Sequence, residues 1–195
     1  MRYLAFAALC VLAVVRPDHV EPQTLDLVAQ GRQALEADRP DDAIALFEKA
    51  VAGDSTNPAA LAWLGSAQVR KAARVGGMEA AGWVKRGFDT LDEAVERFPD
   101  AFVVYVVRGS TAARVPDLFR KTDVAVADLT RVIAMKAARP QAVPDAVMPT
   151  VYLDLGLAYK KAGQPAIARA TWEKAKTLYS TAPEAAAIER ELRSL

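Results

Sequence analysis

The sequence predicts an all-α fold, a right-handed α-solenoid of about four helical hairpins closed by a C-terminal capping helix. Three observations lead there. Gly31, Ala43, Phe47 and Ala50 are separated by 12, 4 and 3 residues, and Gly156, Ala168, Trp172 and Ala175 are separated by the same intervals. Gly65 falls 34 residues after Gly31. Pro40 is suited to the first turn of a helix, Asn57-Pro58 starts a new unit, and Gly163-Gln164-Pro165 makes a turn. A fixed period with small residues at fixed offsets marks stacked helical hairpins rather than one closed core. Hydrophobic residues make up 52% of the 195, enough for a core and too many for a disordered chain.

The elements follow in order. Residues 1–23 form an apolar leader and a polar, Pro-bearing linker, and the repeat domain occupies 24–195. In the first unit, 24–57, helix A runs over about 24–37 and Asp38-Arg39-Pro40 turns the chain. Helix B follows over about 40–51, with Ala43, Leu46, Phe47 and Ala50 at helical spacing. In the second unit, 58–101, helix A reaches Arg74, Gly76-Gly77 breaks it, and helix B covers about 78–98. Placing Ala94 level with Ala50 requires ten extra residues here, and Gly87 takes the small position on helix B.

The third unit, 102–148, opens on six apolar residues, Phe102–Val107, whose β-branched content also suits a buried strand. Arg108-Gly109 at the repeat distance decides for a central helix, apolar nearly all round. Val115-Pro116-Asp117 turns into a helix B over about 116–136, and 137–149 is a proline-bearing connector. The fourth unit, 149–182, turns at Gly163-Gln164-Pro165. The last helix, 183–195, carries Glu184, Glu189, Arg190, Glu191 and Arg193, the polar outer face that the end of a solenoid needs. Gly156 and Ala168 are read as small because helix backbones approach there. Tyr152, Tyr159 and Trp172 are read as filling gaps between helices.

Tyr152-x2-Leu155-Gly156-x2-Tyr159 followed by Ala168-x3-Trp172 resembles the tetratricopeptide repeat. Leu64-Gly65 and Arg108-Gly109 look like the same first-helix signature. The resemblance covers about 24–180. It implies A helices lining a concave face whose inward positions are Val28, Arg32, Ala62, Ser66, Val69, Arg70, Val106, Ser110, Ala113, Arg114, Leu153, Leu157, Lys160 and Lys161. Arg70, Arg114 and Lys161 fall at equivalent places and form either a ladder for carboxylates or a solvated edge. Some members clamp a chaperone's C-terminal carboxylate with Lys and Asn. The matching positions here hold Val28, Arg32, Trp63, Val103 and Val107, a departure from that clamp.

Composition narrows the function. Lys and Arg number 25 against 24 Asp and Glu, which argues against a nucleic-acid binder relying on bulk charge. His19 is the only histidine and Cys10 the only cysteine, so a metal centre of several such ligands is excluded, as is an internal disulfide. No phosphate-cradling loop or nucleophile elbow is present, and the expectation is a non-enzyme without cofactor. Arg2 precedes the apolar run Tyr3–Val15, too short to span a bilayer and suited to a secretory signal. Export, periplasmic or membrane-associated, is expected, with an apolar helix on a cytosolic protein as the alternative. Ala7-Ala8-Leu9-Cys10 loosely resembles a bacterial lipoprotein box, with Leu9 where a small residue belongs.

The functional expectation is an interaction scaffold that takes a peptide or partner helix in the concave groove, with a protein partner, no nucleic acid and no metal. The alternative is an exported small-ligand or transport-accessory protein, with Trp63, Trp83, Phe88 and Tyr105 either walling a pocket or packing in the core. A homodimer through an edge of the stack is a further possibility.

Overall fold

The computed structural model describes residues 22–195, so the leader, with Cys10 and His19, lies outside the described residues. Helices run α1 Pro22–Glu36, α2 Pro40–Gly53, α3 Pro58–Val75, α4 Gly77–Arg97, α5 Phe102–Arg114, α6 Thr122–Ala138, α7 Met148–Lys161, α8 Pro165–Leu178 and α9 Ala185–Arg193. Each hairpin is one A helix (α1, α3, α5, α7) against one B helix (α2, α4, α6, α8). The A helices touch one another in succession, while each B helix packs between its own A helix and the next. That asymmetry puts the A helices on the inner layer of an α-solenoid, and α9 packs on α8 and α7 at its end. Among the described residues there is no strand, and no helix is long and apolar enough to cross a membrane.

Local chemistry sets the boundaries. Asn57 caps α3, its Oδ1 accepting from the Ala59 and Ala60 amides at 3.0 and 3.1 Å, with Pro58 at the first helical position. Gly76, at φ 70°, ends that helix in a conformation that side chains resist. The six apolar residues after Ala101 are helical, since α5 is covered by α3, α4, α6 and α7. One boundary differs from expectation. Pro116 opens a single 3-10 turn, Asp117–Phe119, and Arg120 adopts a left-handed φ of 52°, so α6 starts at Thr122 rather than near 116.

The glycines explain the spacing. A Cβ on Gly31 would sit 2.5 Å from Cε1 of Phe47, and one on Gly156 would collide with the Trp172 indole. The ring sixteen residues downstream lies across the glycine in both units, so Gly156 is small to admit a side chain, not a backbone. In the second unit the backbones themselves meet: a Cβ on Gly65 would lie 2.7 Å from the Gly87 carbonyl oxygen, and one on Gly87 2.6 Å from that of Gly65. A carbonyl inside a helix cannot swing aside. Gly87→Ala is therefore expected to cost about 1–3 kcal/mol through overpacking. Gly82→Ala, in open space on the same helix, serves as its control. Equal denaturant midpoints for the two variants would show that the crossing is looser than this.

Candidate functional site

The fourteen inward positions do not form one open surface. Val28, Ala62, Ser66, Val69, Ala113 and Leu153 are buried by neighbouring helices. Ala62 and Ala113 are shut in completely, and the Ser66 hydroxyl accepts from Thr111 at 3.0 Å. These positions join the A helices to one another and offer a partner little. Val106, Ser110, Leu157 and Lys160 are half-buried, and Arg32, Arg70, Arg114 and Lys161 are exposed.

Four of these eight positions, Arg114, Leu157, Lys160 and Lys161, meet at one place. Ala113, Arg114, Leu157, Lys160, Lys161 and Glu191 line an open cleft of about 370 Å³ between α5, α7 and α9. Its floor is apolar and its rim carries three cations. All but Glu191 were readable from the repeat register. Glu191 comes from the end helix and accepts from Lys160 Nζ at 3.0 Å, while the Ser194 hydroxyl accepts from the same ammonium at 2.8 Å.

The basic ladder is engaged within the chain. Arg70 donates to the Leu35 carbonyl at 3.0 Å, and Lys161 donates to the Val115 carbonyl at 2.6 Å with Asp117 at 3.5 Å. Each therefore caps the end of the preceding A helix, where carbonyls lack partners and the dipole favours a cation. Arg74 adds an ion pair to Asp38, which holds a left-handed φ of 55° in the first turn. Arg114 has no such carbonyl at its level because α3 runs on to Val75. It turns instead to Asp154 on α7, donating from Nε at 3.1 Å and from its terminal nitrogen at 2.8 Å.

Asp154 was not singled out in the sequence. It is wholly buried, and its Oδ2 has no hydrogen-bond partner among the described residues. The Ser110 hydroxyl is close enough to support the carboxylate but makes no hydrogen bond of good geometry. Burial pushes the Asp154 carboxyl above its usual range, against the pull of Arg114. The folded chain thus holds this proton more tightly than the unfolded chain does. The resulting stabilisation is complete below the ordinary value of 3.8 and is lost as pH rises through the higher folded value. Wild type should therefore gain stability relative to Asp154→Asn as pH falls from neutrality toward that value. Wild type losing stability relative to Asp154→Asn on acidification, measured by urea unfolding, would mean that the Arg114 pair outweighs burial.

The aromatics of the pocket reading are distributed among several contacts. Trp63 stacks on Phe47 with centroids 6.5 Å apart, under Arg32. Trp83 lies beside Lys71 and Arg86, with cation-to-ring distances of 4.3 and 4.6 Å. Tyr105 is buried and donates to the Pro99 carbonyl at 2.9 Å, and buried Phe88 faces a second, smaller cleft. Among the described residues no three His, Cys, Asp or Glu side chains gather as a metal site would require.

No family model matches the sequence, and no curated protein does. Solved structures do. MamA from AMB-1 shares 24% identity over 85% of this chain and 83% of its own, with a TM-score of 0.56. MamA from MSR-1 shares 23% over 88% and 84%, with a TM-score of 0.54. TTC0263, a thermophilic TPR protein of Thermus thermophilus, shares 20% over 88% and 97%, with a TM-score of 0.50. At these identities the likeness is one of fold, and the fold of this chain is that of the tetratricopeptide repeats.

Proposed function

We propose that the protein is a non-enzymatic interaction module whose concave cleft binds an acidic, partly apolar segment of another protein. The observation that carries the reading is the pairing of an apolar floor, whose accessible part is Leu157, with a rim of Arg114, Lys160 and Lys161. Leu157 and Lys160–Lys161 are one helical turn apart, about 5 Å along α7. A segment that offers an apolar side chain and a carboxylate at that separation matches both features. Glu191 already places a carboxylate on Lys160, which supports the choice of an acidic ligand.

The test is a double substitution, Leu157→Glu with Lys160→Glu. Arg114 is left alone because a glutamate there would face buried Asp154. Fluorescein-labelled peptides with Leu and Glu three or four residues apart are expected to bind the wild type. Binding should fall at least tenfold in the double variant while its circular dichroism stays unchanged. Equal binding by both proteins would remove the cleft from consideration.

A further inference from the structure

The two departures from regular repeat length meet in space. Leu91 stands 26 residues after Gly65 and Leu129 stands 20 after Gly109, where the regular units use 16. The surplus lengthens α3 at its C-terminal end and α4 at its N-terminal end, and builds the 3-10 connector before α6. Between them lies a cleft of about 270 Å³, floored by Val84, Phe88 and Phe119, with Ala81 on one wall. A cleft below the roughly 300–1,000 Å³ of small-molecule sites suits a single apolar side chain.

Beside this hole stand two apolar knobs. Leu118, next to Phe119 in the connector, is 74% exposed. Met78, on the face of α4 that continues to Ala81, is 93% exposed. A knob adjoining a hole on one surface is self-complementary under a two-fold axis, because each copy then fills the other. The charges agree. Lys85 pairs with Asp89 at 2.6 Å on the rim, and Lys121 lies over the Phe88 ring at 4.3 Å. Both signs are present on this rim, so under a two-fold axis the lysines of one copy can face Asp89 of the other.

We propose that this edge is a two-fold contact between copies of the chain, with Leu118 of each copy seated between α4 and the connector of the other. It leaves the concave cleft free and does not rest on the peptide-binding reading. Light scattering on the full chain should show mass rising with concentration from 21.0 kDa toward twice that value. Leu118→Asp should hold it at the monomer mass, whereas Ile167→Asp, exposed on α8, should leave the dimer intact. A cross-link then tests the register. With Cys10→Ser in every chain, Leu118→Cys chains mixed with Ala81→Cys chains should form disulfide-linked heterodimers, and Leu118→Cys with Ile167→Cys should not. A monomer at every concentration, or a dimer indifferent to Leu118→Asp, overturns the proposal. A dimer whose 118–81 cross-link is no better than the 118–167 control does so as well.

Discussion

Arg108→Leu should destabilise the protein by about 3–5 kcal/mol, the penalty of leaving a buried charge without its partner. Arg108 stands where the second and fourth units place Leu64 and Leu155, just before the glycine. Its guanidinium donates to both Asp128 oxygens, at 2.7 and 2.8 Å, and to Asp92 at 2.8 Å, tying α5 to α6 and α4. Asp128 is buried on α6, and burial pushes its carboxyl up against the pull of Arg108. Removing the arginine alone strands that carboxylate. Restoring an apolar pair with Arg108→Leu and Asp128→Leu together should recover most of the loss, because well-packed apolar residues often replace a buried ion pair at little cost. Chemical unfolding of the two single variants and the double variant checks this. Additive losses in the double variant would mean that the arginine acts through packing of its stem instead.

Trp172→Ala should cost a similar amount, about 3–5 kcal/mol, by emptying the largest fully buried site in the fourth unit. The indole covers Gly156 and donates from Nε1 to the Leu153 carbonyl at 3.0 Å, so truncation opens a cavity and removes a hydrogen bond. Repeat logic sharpens the expectation. Phe47 covers Gly31 in the first unit from the equivalent place, so Trp172→Phe should be tolerated far better than Trp172→Ala. Thermal unfolding that ranks the two variants equally would break the equivalence of the units.

The units most readable in the sequence are those where one aromatic ring covers one glycine sixteen residues earlier. There a single steric relation sets both residue types and their spacing. Gly65 and Gly87 were also readable, because backbone contact leaves no alternative to glycine. The start of α6 was not. Val115-Pro116-Asp117 has the composition of a helix N-terminus, and nothing local announces the left-handed Arg120 that delays it.

The ladder shows a different limit. Spacing placed Arg70, Arg114 and Lys161 at one register, but their partners depend on how far the preceding A helix runs. Arg70 and Lys161 reach free carbonyls, and Arg114, level with the interior of α3, reaches Asp154. Asp154 carried a signal that spacing alone overlooks. It is an acid inside the apolar run Val151–Leu157, at the register of Trp63 and Val107. An acid at an apolar register implies a cation across the groove, and Arg114 is that cation.

The concave cleft is tested most directly by removing the carboxylate that already occupies it. Glu191 and Lys160 are each about one-third exposed, so their pair contributes little to stability, about 0–1 kcal/mol. Glu191→Ala should therefore leave the fold intact and free Lys160 for a ligand. Anisotropy titration of the labelled acidic peptides is expected to show affinity about two- to fivefold tighter for Glu191→Ala than for wild type, an effect that added salt erodes. Affinity unchanged or weakened by Glu191→Ala would contradict a cleft built to receive carboxylates.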